Sequence, residues 1–193
     1  MGQASNAKVK KRPFNPCILT PQEVRQLIDS TFNLKHRAIL STTYSAGLRV
    51  SEVCNLKITD IDNHNMCIHV RMSKGFKSRV TLLSKRNLLL LREYYKAYTP
   101  NTWLFPGANP QNPLSTRTAQ TTFLEACQRC GIVKDVSIHS LRHSFATHLM
   151  ENGANIRQIQ SLMGHGNINT TAQYIHLTRS HLVTFQNPMD LWE

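Results

Sequence analysis

Six side chains spread along this 193-residue chain have the chemistry needed to break and rejoin a phosphodiester bond. They are Arg49, Lys74, His139, Arg142, His165 and Tyr174. Arginine and histidine can hold the charge of a non-bridging phosphate oxygen, and a lysine can protonate a leaving oxygen. A tyrosine hydroxyl can attack phosphorus to give a covalent phosphotyrosyl intermediate. This chemistry requires no metal, and we expect no cofactor.

His139 and Arg142 lie near the start of a predicted helix. The apolar pattern from Leu141 onwards fits one helical face, so we expect His139 just before the helix and Arg142 in its first turn. There the two side chains can point the same way. The first turn also offers unpaired backbone amides and the positive end of the helix dipole, which favour an anion. Arg142 can therefore clamp a phosphate through two parallel hydrogen bonds.

Arg49 and Glu52 form a second candidate pair, at the start of a short predicted helix. Gly47 can turn the chain so that the Arg49 guanidinium lies at the mouth of this helix, where Glu52 can orient it. A helix-surface ion pair of small stabilising value is the alternative interpretation. His165 follows a helix-ending glycine, which favours an imidazole exposed on a loop. Tyr174, taken alone, also fits a residue at the edge of the core with its hydroxyl in water.

Two patterns can suggest a metal site, and both are weaker than the phosphate interpretation. His143 and His148 lie close to Arg142, but no paired carboxylate or thiolate ligands sit at helical spacing around them. Cys127 and Cys130 form a Cys-x-x-Cys pair with no second pair, at the end of a predicted amphipathic helix. The chain has five cysteines, an odd number that does not indicate a disulfide framework. We therefore expect buried or half-buried thiols.

The remaining pattern predicts a mainly α protein with a small antiparallel β-sheet, an α+β fold. The first helix starts at a capping box, with Thr20 as the cap and Glu23 three residues later. Predicted helices then cover about 34–44, 51–56, 84–98, 116–130, 141–152 and 156–163, strands cover 66–71 and 78–83, and a last helix starts at Asn169 or Thr170 and carries Tyr174. The two strands form a hairpin whose tip carries Lys74 and Lys77.

The charge of the chain indicates a polyanionic partner. Lys and Arg total 23 against 11 Asp and Glu, a formal net charge of +12. These charges are spread along the whole length, which favours double-stranded DNA over a membrane surface. No apolar run approaches the roughly 20 residues that cross a bilayer, and the first residues do not form a signal peptide. We therefore expect a DNA-binding protein of the cytoplasm with no membrane partner.

Taken together, these residues occur in boxes that resemble those of the tyrosine recombinases, the phage integrase and Xer-like family. The boxes are Ala46-Gly-Leu-Arg49-Val-Ser-Glu52, Ser73-Lys74-Gly, His139-Ser-Leu-Arg142-His143-Ser-Phe-Ala-Thr-His148-Leu, Leu162-Met-Gly-His165 and Tyr174. The resemblance runs from about Pro13 to Tyr174. It implies the catalytic-domain fold of that family. It also implies site-specific DNA recombination through a 3′-phosphotyrosyl intermediate, independent of metal and ATP, for integration, excision or inversion of DNA.

The resemblance assigns binding of the scissile phosphate to Arg49 and Arg142. The two arginines are implied to stabilise the pentacoordinate transition state, with His165 as a further hydrogen-bond donor. Glu52 matches the acidic position that supports the first box. Its implied role is structural support.

The resemblance also assigns the proton transfers and the nucleophile. His139 is the implied general base or proton shuttle, Lys74 the general acid towards the 5′-hydroxyl, and Tyr174 the nucleophile. Lys77 lies on the same hairpin and can take the place of Lys74 in this assignment. The Lys-Gly step at Lys74 matches the family better.

The implied organisation is a basic tail or linker at 1–16, a catalytic domain at 17–178 and a C-terminal tail at 179–193. Family members usually carry a helical core-binding domain first, so we expect either a catalytic fragment or a short member like the fimbrial-switch invertases. Comparable tails in the family insert into an adjacent protomer, which implies self-association as a tetramer on DNA. Further phosphate contacts are expected from Lys77, Arg79, Arg117 and Arg179.

Two other functions share part of this chemistry. A relaxing topoisomerase forms the same phosphotyrosyl intermediate but acts as a monomer without a partner site. A non-catalytic DNA-binding module keeps the fold and needs no nucleophile, so the presence of Arg49, Arg142, His165 and Tyr174 argues against it. For a recombinase we expect a nucleoid-associated protein of bacterial or phage origin.

Overall fold

The computed structural model describes residues 17–71 and 78–164. Within these two ranges the chain forms seven α-helices, one 3₁₀ turn at Ile58–Asp60 and one three-stranded antiparallel sheet. The helices are α1 (Pro21–Asp29), α2 (Leu34–Ser45), α3 (Val50–Cys54), α4 (Lys85–Tyr98), α5 (Thr116–Arg129), α6 (Ile138–Glu151) and α7 (Ile156–Met163). The strands are β1 (Ile61–Asp62), β2 (Cys67–Val70) and β3 (Arg79–Leu82). The prediction of a mainly α fold with a small antiparallel sheet is confirmed.

The first helix begins at the capping box that the sequence predicts. The Thr20 hydroxyl accepts the Glu23 backbone N–H at 3.2 Å, and the Glu23 carboxylate accepts the Thr20 backbone N–H at 2.7 Å. Pro21 occupies the first helical position, where its missing N–H costs no hydrogen bond. Because these local contacts satisfy donors that a helix start leaves unpaired, α1 begins where predicted.

Helix α6 begins at Ile138, ahead of the predicted start at Leu141. His139 therefore lies inside the first turn, and the expectation that it precedes the helix is wrong. The Ser137 backbone N–H donates to the Ser140 hydroxyl at 3.2 Å, a contact within the first turn. Ile138 is 1% exposed, so it extends the buried face of α6 towards the N-terminus. His139 and Arg142 still share that turn.

The sheet has the strand order β1-β2-β3, with both pairs antiparallel. In the β2–β3 pair Val70 lies opposite Arg79, so the two strands of the predicted hairpin are confirmed. The tip residues Lys74 and Lys77 lie outside the described residues. Strand β1 was not predicted, because two residues are too few to show a period of two.

Helix α2 lies at the centre of the main hydrophobic core. Ala38, Ile39 and Leu40 are all fully buried, and the helix packs against five others, α1, α3, α4, α5 and α6. A second cluster of buried residues, which includes Phe145 and Met163, lies between α6 and α7. This packing holds the end of α7 against α6 and so brings the Met163 carbonyl into reach of that helix.

The cysteines are distributed as the sequence predicts. All five are free thiols, with Cys54 and Cys127 buried and Cys17, Cys67 and Cys130 half-buried. Burial raises the pKa of Cys54 and of Cys127 to about 11. None of the helices within 17–71 and 78–164 combines the length and the apolar composition needed to cross a membrane.

Gly47, in the turn between α2 and α3, cannot be replaced without strain. Its φ is +61°, and an added Cβ lies 2.3 Å from Cδ1 of Phe145. We expect Gly47→Ala to lower the free energy of unfolding by about 2–5 kcal/mol, the sum of a left-handed backbone and of overpacking. Gly131→Ala is the matched control, because Gly131 has φ of +65° but nothing within 4 Å of the added Cβ. Equal losses in urea denaturation would contradict the clash with Phe145.

Candidate active site

The carboxylate of Glu52 on α3 is surrounded by arginines from three parts of the chain. Arg49, the residue before α3, donates from Nη1 to Oε1 of Glu52 at 2.7 Å. Arg79 on β3 forms a two-point ion pair, with Nη1 at 2.7 Å from Oε1 and Nη2 at 2.8 Å from Oε2. Arg142 on α6 lies with Nη1 3.6 Å from Oε2. The structure therefore brings Arg49, Glu52 and Arg142 together and adds Arg79 to them.

Arg142 is held by backbone carbonyls of two turns. Its Nη1 donates to the Gly47 carbonyl and its Nη2 to the Met163 carbonyl, both at 2.6 Å. The residue is only 4% exposed. Because a guanidinium is planar and carries its donors in a fixed fork, these contacts set its orientation. The turn before α3 and the end of α7 thus position the Arg142 guanidinium.

Arg79 ties the end of α7 to the same cluster. Its Nε donates to the Leu162 carbonyl at 2.7 Å, and its side chain is 6% exposed. This placement argues against the expectation that Arg79 is a DNA contact, because its guanidinium is buried and paired with Glu52. From the sequence, Arg79 is a positively charged residue close to a hairpin tip. That position does not distinguish a surface contact with DNA from a buried ion pair.

The pKa of Glu52 shows how strongly this cluster favours negative charge. Burial on its own raises the pKa of the carboxyl group, whose side chain is 7% exposed. The hydrogen bonds and charge of Arg79 outweigh that effect, helped by the Arg49 backbone N–H and the charge of Arg142, and lower the pKa to about 2. Glu52 is therefore ionised, and three positive charges face one negative charge. A cluster with that excess suits a bound anion.

Two imidazoles of α6 lie in the field of these arginines. Partial burial lowers the pKa of His139, and the charges of Arg142 and Arg49 lower it further. Burial also lowers the pKa of His143, with Arg142 and His139 adding to the effect, to about 4. These effects favour the neutral form of both imidazoles. A neutral imidazole can accept a proton, which suits His139 to a general base.

The histidines that raised the zinc alternative have other surroundings. His148 is 8% exposed, and its Nδ1 lies 2.9 Å from the Tyr44 hydroxyl, so it takes part in the contact between α2 and α6. Among the described residues, the side chains with metal-binding spacing lie on the sheet and include neither His143 nor His148. The structure thus gives no geometric support to zinc at α6.

Five of the residues singled out in the sequence lie outside the described residues. They are Lys74, Lys77, His165, Tyr174 and Arg179. His165 directly follows Gly164, which ends α7 with φ of +62°, as the sequence predicts. Arg117 is exposed in the first turn of α5, where a phosphate contact is sterically accessible.

Comparisons with known proteins give one consistent result. The sequence model of the phage integrase family matches residues 18–181. The tyrosine recombinase XerA of Pyrococcus horikoshii is 40% identical over 184 residues, which cover 93% of this chain and 64% of that protein. A crystal structure of XerA recombinase matches with a TM-score of 0.79 at 35% identity, over 89% of this chain and 64% of the other.

A second solved structure, XerH site-specific recombinase bound to its difH substrate in a pre-cleavage complex, matches with a TM-score of 0.72 at 25% identity. The match covers 83% of this chain and 50% of the XerH chain. The chain therefore spans between half and two thirds of the length of the relatives described here.

Proposed function

The chain belongs to the phage integrase family, and on that basis we propose that it cleaves and rejoins DNA at a specific site through a covalent 3′-phosphotyrosyl intermediate. The observation that supports this most is the cluster of Arg49, Arg79 and Arg142 around Glu52, with distances of 2.7 to 3.6 Å. Charge that develops on a phosphate is stabilised best by donors that are already oriented. Hydrogen bonds to Glu52 and to backbone carbonyls orient the guanidinium groups of this cluster before a phosphate binds.

In this proposal Arg49 and Arg142 bind the non-bridging oxygens of the scissile phosphate. Arg142 reaches them from a fixed position, while Arg49, with a side chain 33% exposed, faces the incoming DNA. Glu52 holds the guanidinium groups in place and limits their mutual repulsion. His165 adds a further hydrogen bond to the phosphate.

The covalent step exchanges one phosphoester bond for another and moves two protons. The Tyr174 hydroxyl oxygen attacks phosphorus, the bond from phosphorus to the 5′-oxygen breaks, and a bond from phosphorus to the tyrosine oxygen forms. His139 takes the proton of Tyr174, and Lys74 gives a proton to the leaving 5′-oxygen, with Lys77 as the alternative donor. A base is needed because an ordinary tyrosine has a pKa near 10. Rejoining reverses these transfers and needs no ATP.

The proposed substrate is double-stranded DNA, and the proposed assembly is a tetramer. XerH is described in complex with difH substrate, which supports a DNA partner here. The net charge of +12 supports the same partner. Apolar residues of the tail 179–193 are proposed to dock on a neighbouring protomer. The protein is proposed to act on nucleoid or phage DNA in the cytoplasm. Contacts of Lys77, Arg117 and Arg179 with phosphates belong to the same proposal.

Covalent trapping tests the proposal. The full chain is incubated with nicked DNA duplexes that carry the recombination sites of its relatives, in a buffer that contains a metal chelator and no ATP. We expect a protein–DNA adduct that survives denaturation. Peptide mapping should place the DNA on Tyr174 and on none of the other four tyrosines. Absence of an adduct, or linkage to another residue, would contradict the proposed chemistry.

A chain that ends at Arg179 tests the role proposed for the C-terminal tail. We expect it to lose assembly on DNA and cleavage, and unchanged assembly and cleavage would exclude that role.

A further inference from the structure

The outer face of the sheet brings together three side chains that are good ligands for a transition metal. Asp62 on β1 and Cys67 and His69 on β2 offer a carboxylate oxygen, a sulfur and a ring nitrogen that all lie within 4.8 Å of one another. None of these residues belongs to the cluster around Glu52. We propose that Asp62, Cys67 and His69 bind a zinc ion, a site separate from the proposed recombination chemistry.

The strand register explains why these three side chains meet. Asp62 lies directly opposite Cys67 in the β1–β2 pair, and Cys67 and His69 alternate along β2, so they share one face of the sheet. Residues Ile68 and Val70 between and after them are buried on the other face. A carboxylate, a thiol and an imidazole therefore project from adjacent positions of two paired strands.

The distances are close to those of a tetrahedral zinc site. His69 Nε2 lies 3.7 Å from Oδ2 of Asp62 and 4.0 Å from Sγ of Cys67. Zinc bonds of about 2.0–2.3 Å separate ligand atoms by about 3.3–3.8 Å in a tetrahedron. The three ligand atoms all lie within 4.8 Å of one another, so modest side-chain rotations bring them to that spacing. Three protein ligands leave a fourth position for water or a small anion.

The carboxylate of Asp62 is already oriented by its own turn. Its Oδ1 accepts the backbone N–H of His64 at 3.1 Å and of Asn65 at 2.9 Å, and its Oδ2 accepts the Asn65 side-chain amide at 2.8 Å. Such outer contacts fix the direction of a metal ligand and raise the affinity of a site. The turn after β1 thus holds the Asp62 carboxylate in one orientation, as hydrogen bonds to the metal ligands do in zinc proteins.

The surroundings also favour a soft divalent cation. Val80 lies opposite His69 and Leu82 opposite Cys67, and these apolar side chains are 49% and 42% exposed on the same face. They place apolar surface beside the sulfur and the ring nitrogen. A carboxylate and a thiolate together bring two negative charges, which match those of Zn²⁺, while a sulfur ligand disfavours Mg²⁺ and Ca²⁺.

Cobalt spectroscopy tests the proposal on the full chain, with no dependence on DNA cleavage. Titration with Co²⁺ is expected to saturate at one equivalent per chain. The bound cobalt should show the absorption bands of a tetrahedral site and a sulfur-to-cobalt charge-transfer band, and Zn²⁺ is expected to displace it. Cys67→Ser should abolish the charge-transfer band, and His69→Gln should weaken affinity by about a hundredfold or more. Cys17→Ser and His36→Gln are matched controls and should change neither result.

The outcomes separate this site from other thiols and imidazoles of the chain. Circular dichroism of Cys67→Ser and His69→Gln checks folding, which we expect to be retained because both side chains lie on the outer face of the sheet. A charge-transfer band that survives Cys67→Ser places the metal elsewhere and overturns the proposal. Absence of any cobalt–sulfur band in the unmodified chain overturns it equally.

Discussion

Replacing Arg49 with alanine is expected to slow strand cleavage by about a hundredfold to a thousandfold, the usual cost of one transition-state donor. The Arg49 side chain is 33% exposed and makes a single 2.7 Å side-chain contact to Glu52, so its loss disturbs the described fold little. Arg142 is a less clean target. It is 4% exposed and satisfies two backbone carbonyls, so its removal mixes a loss of catalysis with a loss of stability.

The measurement is the single-turnover rate of adduct formation on the nicked duplex, with the melting temperature of each variant beside it. Arg25→Ala is the matched control, because Arg25 is 73% exposed and pairs with Asp29 on the surface of α1. Arg49→Lys keeps the positive charge but not the planar fork, and we expect it to recover only part of the rate. A rate for Arg49→Ala equal to that of Arg25→Ala would contradict the role proposed for Arg49.

Replacing Glu52 with glutamine is expected to lower the free energy of unfolding by about 3–5 kcal/mol, the usual cost of removing one partner from a buried ion pair. Glutamine keeps the size of the side chain, but the guanidinium groups of Arg49, Arg79 and Arg142 then lack their counter-charge. Urea denaturation measures this loss. Asp29→Asn, which removes one partner of an exposed pair, is the control and should cost about 0–1 kcal/mol.

The same residue predicts a pH dependence of stability. The pKa of Glu52 falls from 4.5 to about 2 on folding, so the unfolded chain binds its proton more readily. The stabilisation is therefore complete above pH 4.5 and is lost as the pH falls towards 2. We expect the free energy of unfolding of the unmodified chain to decrease over that range, and Glu52→Gln to remove this part of the slope. An unchanged slope in the variant would show that other groups cause the acid sensitivity.

Helix boundaries were the part of the fold most accessible from sequence. The capping box at Thr20, the turn at Gly47 and the terminating Gly164 all lie where predicted, because such signals depend on a few neighbouring residues. The start of α6 was placed too late, since Ile138 is recognised as a core residue only once its partners are known. Strand β1 was missed because its pairing with β2, and not its own pattern, makes it a strand.

The sequence by itself determined the types of chemical group and their order, and so the pairing of Arg49 with Glu52 three residues later. Only the tertiary structure decided what Arg79 does. The register of β2 and β3 places Arg79 opposite Val70, on the side away from exposed Val80, where it reaches Glu52. Local propensity depends on neighbours within a turn or a strand. Burial and charge pairing depend on residues far apart in the chain, and these were set by packing among α3, α6, α7 and the sheet.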